Sequence, residues 1–201
     1  MNGHASIEKS LNRRAHHERI VCELEDNVRL TAAQGVLNLI CFIGNRAGQP
    51  DGEGAAITAG ALRSISATAE NAGVTLVLDL LNSRIDHPDY QCDQLQSGLD
   101  VIQAVDSPAV KLLYDIYHAQ IMDGDLIRSV RAHHAVIGHD HTAGCPGRHD
   151  LDDTQEIQYP PVLRAVAAPG FDDYLAHEFV SRDEVVQALQ AAHLLTEQGV
   201  S

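Results

Sequence analysis

VKLLYDIYHAQIMDGDLI, residues 110–127, decides the fold. Val110–Tyr117 (VKLLYDIY) is almost continuously apolar, the pattern of a strand buried on both faces. Asp125–His133, just beyond it, reads as a helix. A doubly buried strand handing over to a helix is the repeating unit of parallel α/β folds. The unit recurs in both directions. Upstream, residues 16–35 predict a helix with Ile20, Val21, Leu24, Val28 and Ala32 on one face, ended by Gly35. Val36–Ile43 (VLNLICFI) reads as a strand and Ala55–Ala72 as a helix closed by Gly73. Val74–Leu81 (VTLVLDLL) is the next strand. Cys92–Val105 is a helix stopped by Ser107-Pro108. Downstream, Ala135–His141 (AVIGHDH) is a strand, Tyr159–Ala168 a helix, Asp173–Val180 (DYLAHEFV) a strand and Asp183–Gln198 a helix.

Five strands alternating with helices predict a parallel sheet with right-handed crossovers. No long linker divides residues 1–201, so one domain is expected. Two architectures fit: an open doubly wound sheet, or part of a (β/α)8 barrel. GxGxxG and Walker loops are absent, which removes the usual nucleotide fingerprints.

The net charge of −14 argues against nucleic acid, which needs a basic face. Most of that charge reads as a solvated acidic surface; the rest can be carboxylates gathered at a cation. No apolar run approaches the roughly 20 residues of a membrane span. The first twenty residues contain no apolar core of a signal peptide. The cysteines, 22, 41, 92 and 145, form no CxxC pair and read as reduced thiols. A cytoplasmic protein is expected.

Ligands of parallel α/β folds bind at the C-terminal ends of the strands. Asp79 lies near the end of the second strand and Asp115 near the end of the third, with His118 three residues on. His139 and His141 end the fourth, and Glu178 ends the fifth after His177. Carboxylates inside such apolar runs are costly to bury unless paired or bound to a cation. Oxygen ligands with one imidazole suit Mn²⁺, Mg²⁺ or Co²⁺. His139 and His141 share a parity and face one way, so one can be a ligand and the other a packed core histidine. His177 should point into the helix layer, and His16, His17, His133 and His134 into solvent. The long loop Gly144–Pro160 carries Arg148, His149 and Glu156, and an arginine there can fork onto substrate oxygens.

These residues resemble a known family. LLNSRIDHPDYQCD (80–93), VKLLYDIYHAQIMDGDLI, IGHDHTAGCPGRHDLDDTQEIQYP (137–160) and LAHEF (175–179) resemble the hydroxypyruvate isomerase-like proteins of the xylose isomerase-like barrel superfamily. SLNRRAHHERI (10–20) and CFIGNRAG (41–48) resemble that group's upstream segments. The resemblance implies a (β/α)8 barrel with one divalent metal ion held by Asp79, Asp115, His141 and Glu178. It implies His118 and Arg148 as substrate contacts, with Glu178 and Asp79 moving a proton through an enediolate. The five units correspond to barrel units four to eight, so an incomplete TIM barrel without its first three βα units is expected, open along Val36–Ile43 and Asp173–Val180. Residues Met1–Ser10 would be disordered or would cover part of that gap, and association of copies through the open side is expected. Asp79 also stands where the family has Glu, one methylene longer.

The leading expectation is a metal-dependent isomerase or epimerase of hydroxypyruvate or a ketose or aldose. The alternative is an inactive barrel fragment that binds metal or sugar without turnover. An endonuclease of the same superfamily is a third reading, disfavoured by the acidic charge.

Overall fold

The computed structural model describes residues 1–168, 170–182 and 184–200. The chain divides into two compact units, Met1–Leu113 and Tyr114–Ser201.

The first unit opens with helix α1, Arg14–Ala33, which buries Ile20, Leu24 and Val28 at a spacing of four. Strand β1 is Asn38–Cys41, helix α2 Asp51–Ala72 and strand β2 Thr75–Asp79. Helix α3 is Leu95–Val105 and strand β3 begins at Val110. Strands β1 and β2 are parallel, as are β2 and β3, with Cys41 opposite Leu78 and Asp79 opposite Leu113. Leu39, Leu76, Leu78 and Leu112 are fully buried, as expected of strands covered on both faces. Gly73 ends α2 at φ 66°, the left-handed conformation that a side chain disfavours.

Strand β3 ends at Asp115, and its last two residues open the second unit. Helix α4, Ile116–Met122, follows without a break, then α5, Leu126–His133, and a short 3₁₀ turn, His134–Val136. Strand β4 is Ile137–Thr142, helix α6 Tyr159–Ala167, strand β5 Leu175–His177 and helix α7 Val185–Val200. β4 and β5 are parallel, with His141 opposite Ala176. Helix α6 buries Tyr159, Val162, Leu163 and Val166, and Gly199 of α7 sits close against Leu163.

Every expected element is present, several of them shorter. The strand expected to run to Tyr117 stops at Asp115 because that side chain caps α4. Its Oδ1 accepts the N–H groups of Tyr117 at 2.9 Å and His118 at 3.2 Å. The strand expected over Asp173–Val180 shrinks to three residues, leaving Glu178 just past its end. The expected start of the last helix, Asp183, lies outside the described residues. Of the two alternatives expected for Met1–Ser10, partial cover of the β1 edge is the one found. Ile40 N–H donates to Met1 O at 2.8 Å and Gly3 N–H to Ile40 O at 2.7 Å, so residues 1–3 form a parallel bridge along it. Residues 44–54 add no strand. Among the described residues, no helix is long and apolar enough to cross a membrane.

Candidate metal centre

Each second-unit side chain of the expected site is positioned by a different stretch of chain. Asp115 ends β3, His118 lies on α4, His141 on β4, Arg148 in the loop after β4, and Glu178 just beyond β5. Asp115, His118 and His141 are buried, whereas Glu178 is half exposed. One ligand atom from each of Asp115, His141 and Glu178 falls within 4.8 Å of the others. Asp79, in the first unit, ends β2 and is buried.

Arg148 ties the group together. Its Nη2 donates to Glu178 Oε2 at 2.5 Å and to Asp115 Oδ2 at 3.3 Å. Its Nη1 donates to His118 Nε2 at 3.0 Å. An arginine only donates, so His118 accepts at Nε2 and carries its proton on Nδ1. His118 Nε2 also lies 3.7 Å from Asp115 Oδ2. The Arg148 guanidinium carbon also lies 5.5 Å from the centroid of the Tyr117 ring, a cation–π contact.

The backbone around Arg148 is specialised. Gly147 sits at φ 93° and Arg148 itself at φ 55°, a conformation that costs a non-glycine residue about 1–2 kcal/mol. Strain of this kind collects at ligand sites. Flanking bonds hold it. Val180 N–H donates to Arg148 O at 2.8 Å, and the His149 ring bonds Val180 O at 2.8 Å. The loop and the segment after β5 are thus stitched together, which aims Arg148 at Glu178.

The two carboxyl groups are driven apart. For Asp115, burial raises the pKa, and the Arg148 and His141 charges only partly oppose it. For Glu178, burial also pushes upward, but the His141 hydrogen bond and the Arg148 charge outweigh it and hold the pKa at about 2. Glu178 is therefore ionised, so the 2.8 Å contact with His141 Nδ1 is an N–H donated to a carboxylate. The donor set, two carboxylates and an imidazole, fits a divalent ion. Asp115 supports that fit, because its burial is incompletely offset by the cations present.

Of the paired histidines on β4, His141 joins this group and His139 does not. The His139 ring packs edge-on against that of His141 at 4.9 Å. Burial lowers its pKa to about 4, so it is a neutral packing residue. His177 bonds Thr142 Oγ1 at 2.7 Å, and its pKa is lowered by burial and by His193 of α7, as a side chain in the helix layer should be. His134 is exposed, but His16, His17 and His133 are half-buried, and His17 Nε2 bonds Leu11 O at 2.8 Å. Tyr117 was no part of the expected site; only its place between Asp115 and His118 could have flagged it.

A family model described as a xylose isomerase-like TIM barrel matches residues 4–198. A putative hydroxypyruvate isomerase of Homo sapiens is 31% identical over 113 residues, which are 56% of this chain and 41% of that protein. A 2-oxo-tetronate isomerase of Cupriavidus necator is 32% identical over 110 residues, 55% of this chain and 42% of that protein. The match spans about two fifths of the length of these curated relatives. Among solved structures, an AP endonuclease of family 2 from Brucella melitensis superposes with a TM-score of 0.85 at 22% identity, over 92% of this chain and 70% of that one. The IolI protein with a bound zinc atom superposes at 0.77 and 20% identity, over 96% and 73%. At those identities the structures establish the fold alone: α/β, five parallel βα units of an incomplete (β/α)8 barrel.

Proposed function

The chain belongs to the xylose isomerase-like TIM barrel family, and on that premise we propose that it is a divalent-metal-dependent isomerase or epimerase of a small α-hydroxycarbonyl compound, hydroxypyruvate or a ketose or aldose. One observation carries the reading. Asp115, His141 and Glu178 converge from three successive βα units, with Arg148 and His118 against the same carboxylates. Asp115, His141 and Glu178 would hold Mn²⁺, Mg²⁺ or Co²⁺; the resemblance adds Asp79 as a fourth ligand. Bound there, the ion supplies Lewis acidity that makes the substrate's C–H proton acidic.

Glu178 takes that proton from the carbon bearing the hydroxyl. The C–H electron pair forms a carbon–carbon double bond, and the carbonyl π pair moves to its oxygen as an enediolate. Return of the proton to the neighbouring carbon, with the hydroxyl proton passing to the former carbonyl oxygen so that the first carbon becomes the carbonyl, isomerises the substrate; return to the opposite face of the same carbon epimerises it. The resemblance assigns the return to Asp79. Arg148 and His118 hold the substrate oxygens. Glu178 is a weak base while Arg148 donates to it, and its basicity rises once Arg148 turns to a substrate oxygen.

Titration of Asp115→Asn with Mn²⁺ tests the centre. The amide retains an oxygen to cap α4 and loses the charge. Affinity should fall by about 10–100-fold, and an unchanged affinity would refute the assignment. A second expectation concerns reach. Asp79→Glu restores the longer side chain, so turnover with saturating Mn²⁺ should rise, since misplacement of about 1 Å can cost roughly 10²-fold. A folded Asp79→Glu protein with equal or lower turnover would sink that role.

A further inference from the structure

The register of β1 and β2 ends where Cys41 faces Leu78. Just beyond it, one side chain takes over. The Tyr90 hydroxyl accepts the Ile43 N–H at 2.8 Å and donates to the Asp79 carbonyl at 3.1 Å. We infer that Tyr90 is a positioning residue for Asp79, its hydroxyl standing in for the missing ladder bonds and fixing the backbone that carries the Asp79 carboxylate.

Tyr90 is itself held on every side. It is fully buried. Its N–H donates to His87 O at 3.0 Å, and the next N–H, of Gln91, donates to Gly44 O at 2.9 Å. Asn45 and Tyr90 form an antiparallel bridge. Arg46 Nη1 donates to the Tyr90 carbonyl, while its Nη2 reaches Asp93 at 3.0 Å and its Nε Asp51 at 2.8 Å. Burial raises the pKa of the Tyr90 hydroxyl, so it keeps the proton it donates. A tyrosine needed only for packing would require none of this. A hydroxyl that must sit between two strand ends needs its ring and its backbone fixed.

The inference rests on the reading of Asp79 as a metal ligand. The experiment is isothermal titration of Mn²⁺ into wild type, Asp79→Ala, Tyr90→Phe and Arg46→Lys, each shown to be folded by circular dichroism. Phenylalanine keeps the ring and removes both hydrogen bonds. Residues that orient a ligand typically govern 10–100-fold in metal affinity, so Tyr90→Phe should bind Mn²⁺ at least about tenfold more weakly, whereas a purely structural role would lower only the melting temperature. If Asp79→Ala leaves affinity unchanged, the reading of Asp79 fails and the inference with it. If Asp79→Ala weakens binding while folded Tyr90→Phe binds as wild type does, the inference alone is overturned. Should Tyr90→Phe not fold, Arg46→Lys decides: it removes the fork that grips the Tyr90 carbonyl, Asp93 and Asp51 together and leaves the hydroxyl. Weaker binding by that variant supports the inference, and wild-type affinity overturns it.

Discussion

Glu178→Gln should lower turnover by at least about 10²-fold with Mn²⁺ saturating, the lower end for loss of a general acid or base. The substitution isolates charge and basicity. Glutamine has the same reach, and its amide oxygen can still accept from His141 Nδ1 and from Arg148, the partners that hold the carboxylate at 2.8 and 2.5 Å. The site should therefore keep its shape. What disappears is the group that can take a proton from carbon. Weaker metal binding would accompany the change, so turnover is compared at saturating Mn²⁺ and the two losses are separated. Exchange of the substrate C–H proton with solvent deuterium gives a direct reading of the same step, and it should fall in parallel. Near-normal turnover or exchange in this variant would remove Glu178 from the proton transfer.

The alternation of strands and helices was legible because the first three strands are mostly buried on both faces and so read as apolar runs. The residues at the C-terminal strand ends were legible for the same reason, since a carboxylate or imidazole stands out in such a run. Boundaries were less legible. YDIY looks like one strand, but Asp115 is a good helix cap and its Oδ1 starts α4 within that stretch. An Asp followed by three non-breaking residues was the available signal. His139 and His141 share a parity, so the alternation alone could not choose between them; the resemblance pointed to His141, and it is His141 that meets Glu178. The bridge from residues 1–3 to Ile40 joins segments nearly forty residues apart and left no local mark. Tyr90 was hidden differently. Its bonds go to backbone atoms of Ile43 and Asp79, and backbone partners leave no trace in side-chain identity.

Asp140 is the residue whose replacement should most increase stability. It alternates on β4 with His139 and His141, so its side chain faces away from theirs. It is 1% exposed, and its Oδ1 meets no hydrogen-bond partner among the described residues. Burial raises its pKa from 3.8 to about 7; His141 opposes the rise and the neighbouring Asp173 adds to it. A carboxyl with a raised folded pKa binds its proton more tightly folded than unfolded. Its contribution is thus most favourable below about pH 4 and is lost as the pH climbs from 3.8 to about 7. At 1.36 kcal/mol per pH unit, that loss is about 4 kcal/mol. Asp140→Asn stays neutral throughout. In denaturant melts of metal-free protein, its advantage over wild type should be small at pH 4 and grow by up to about 4 kcal/mol by pH 8. At roughly 2–4 °C per kcal/mol for a chain of this size, the melting temperature should rise by about 10 °C at the higher pH. The comparison cancels the titrating groups that do not interact with Asp140, leaving only His141 and Asp173, whose charges it feels. A constant gap between the two proteins from pH 4 to pH 8 would mean that Asp140 titrates in the folded protein as it does in the unfolded chain, and would overturn the prediction.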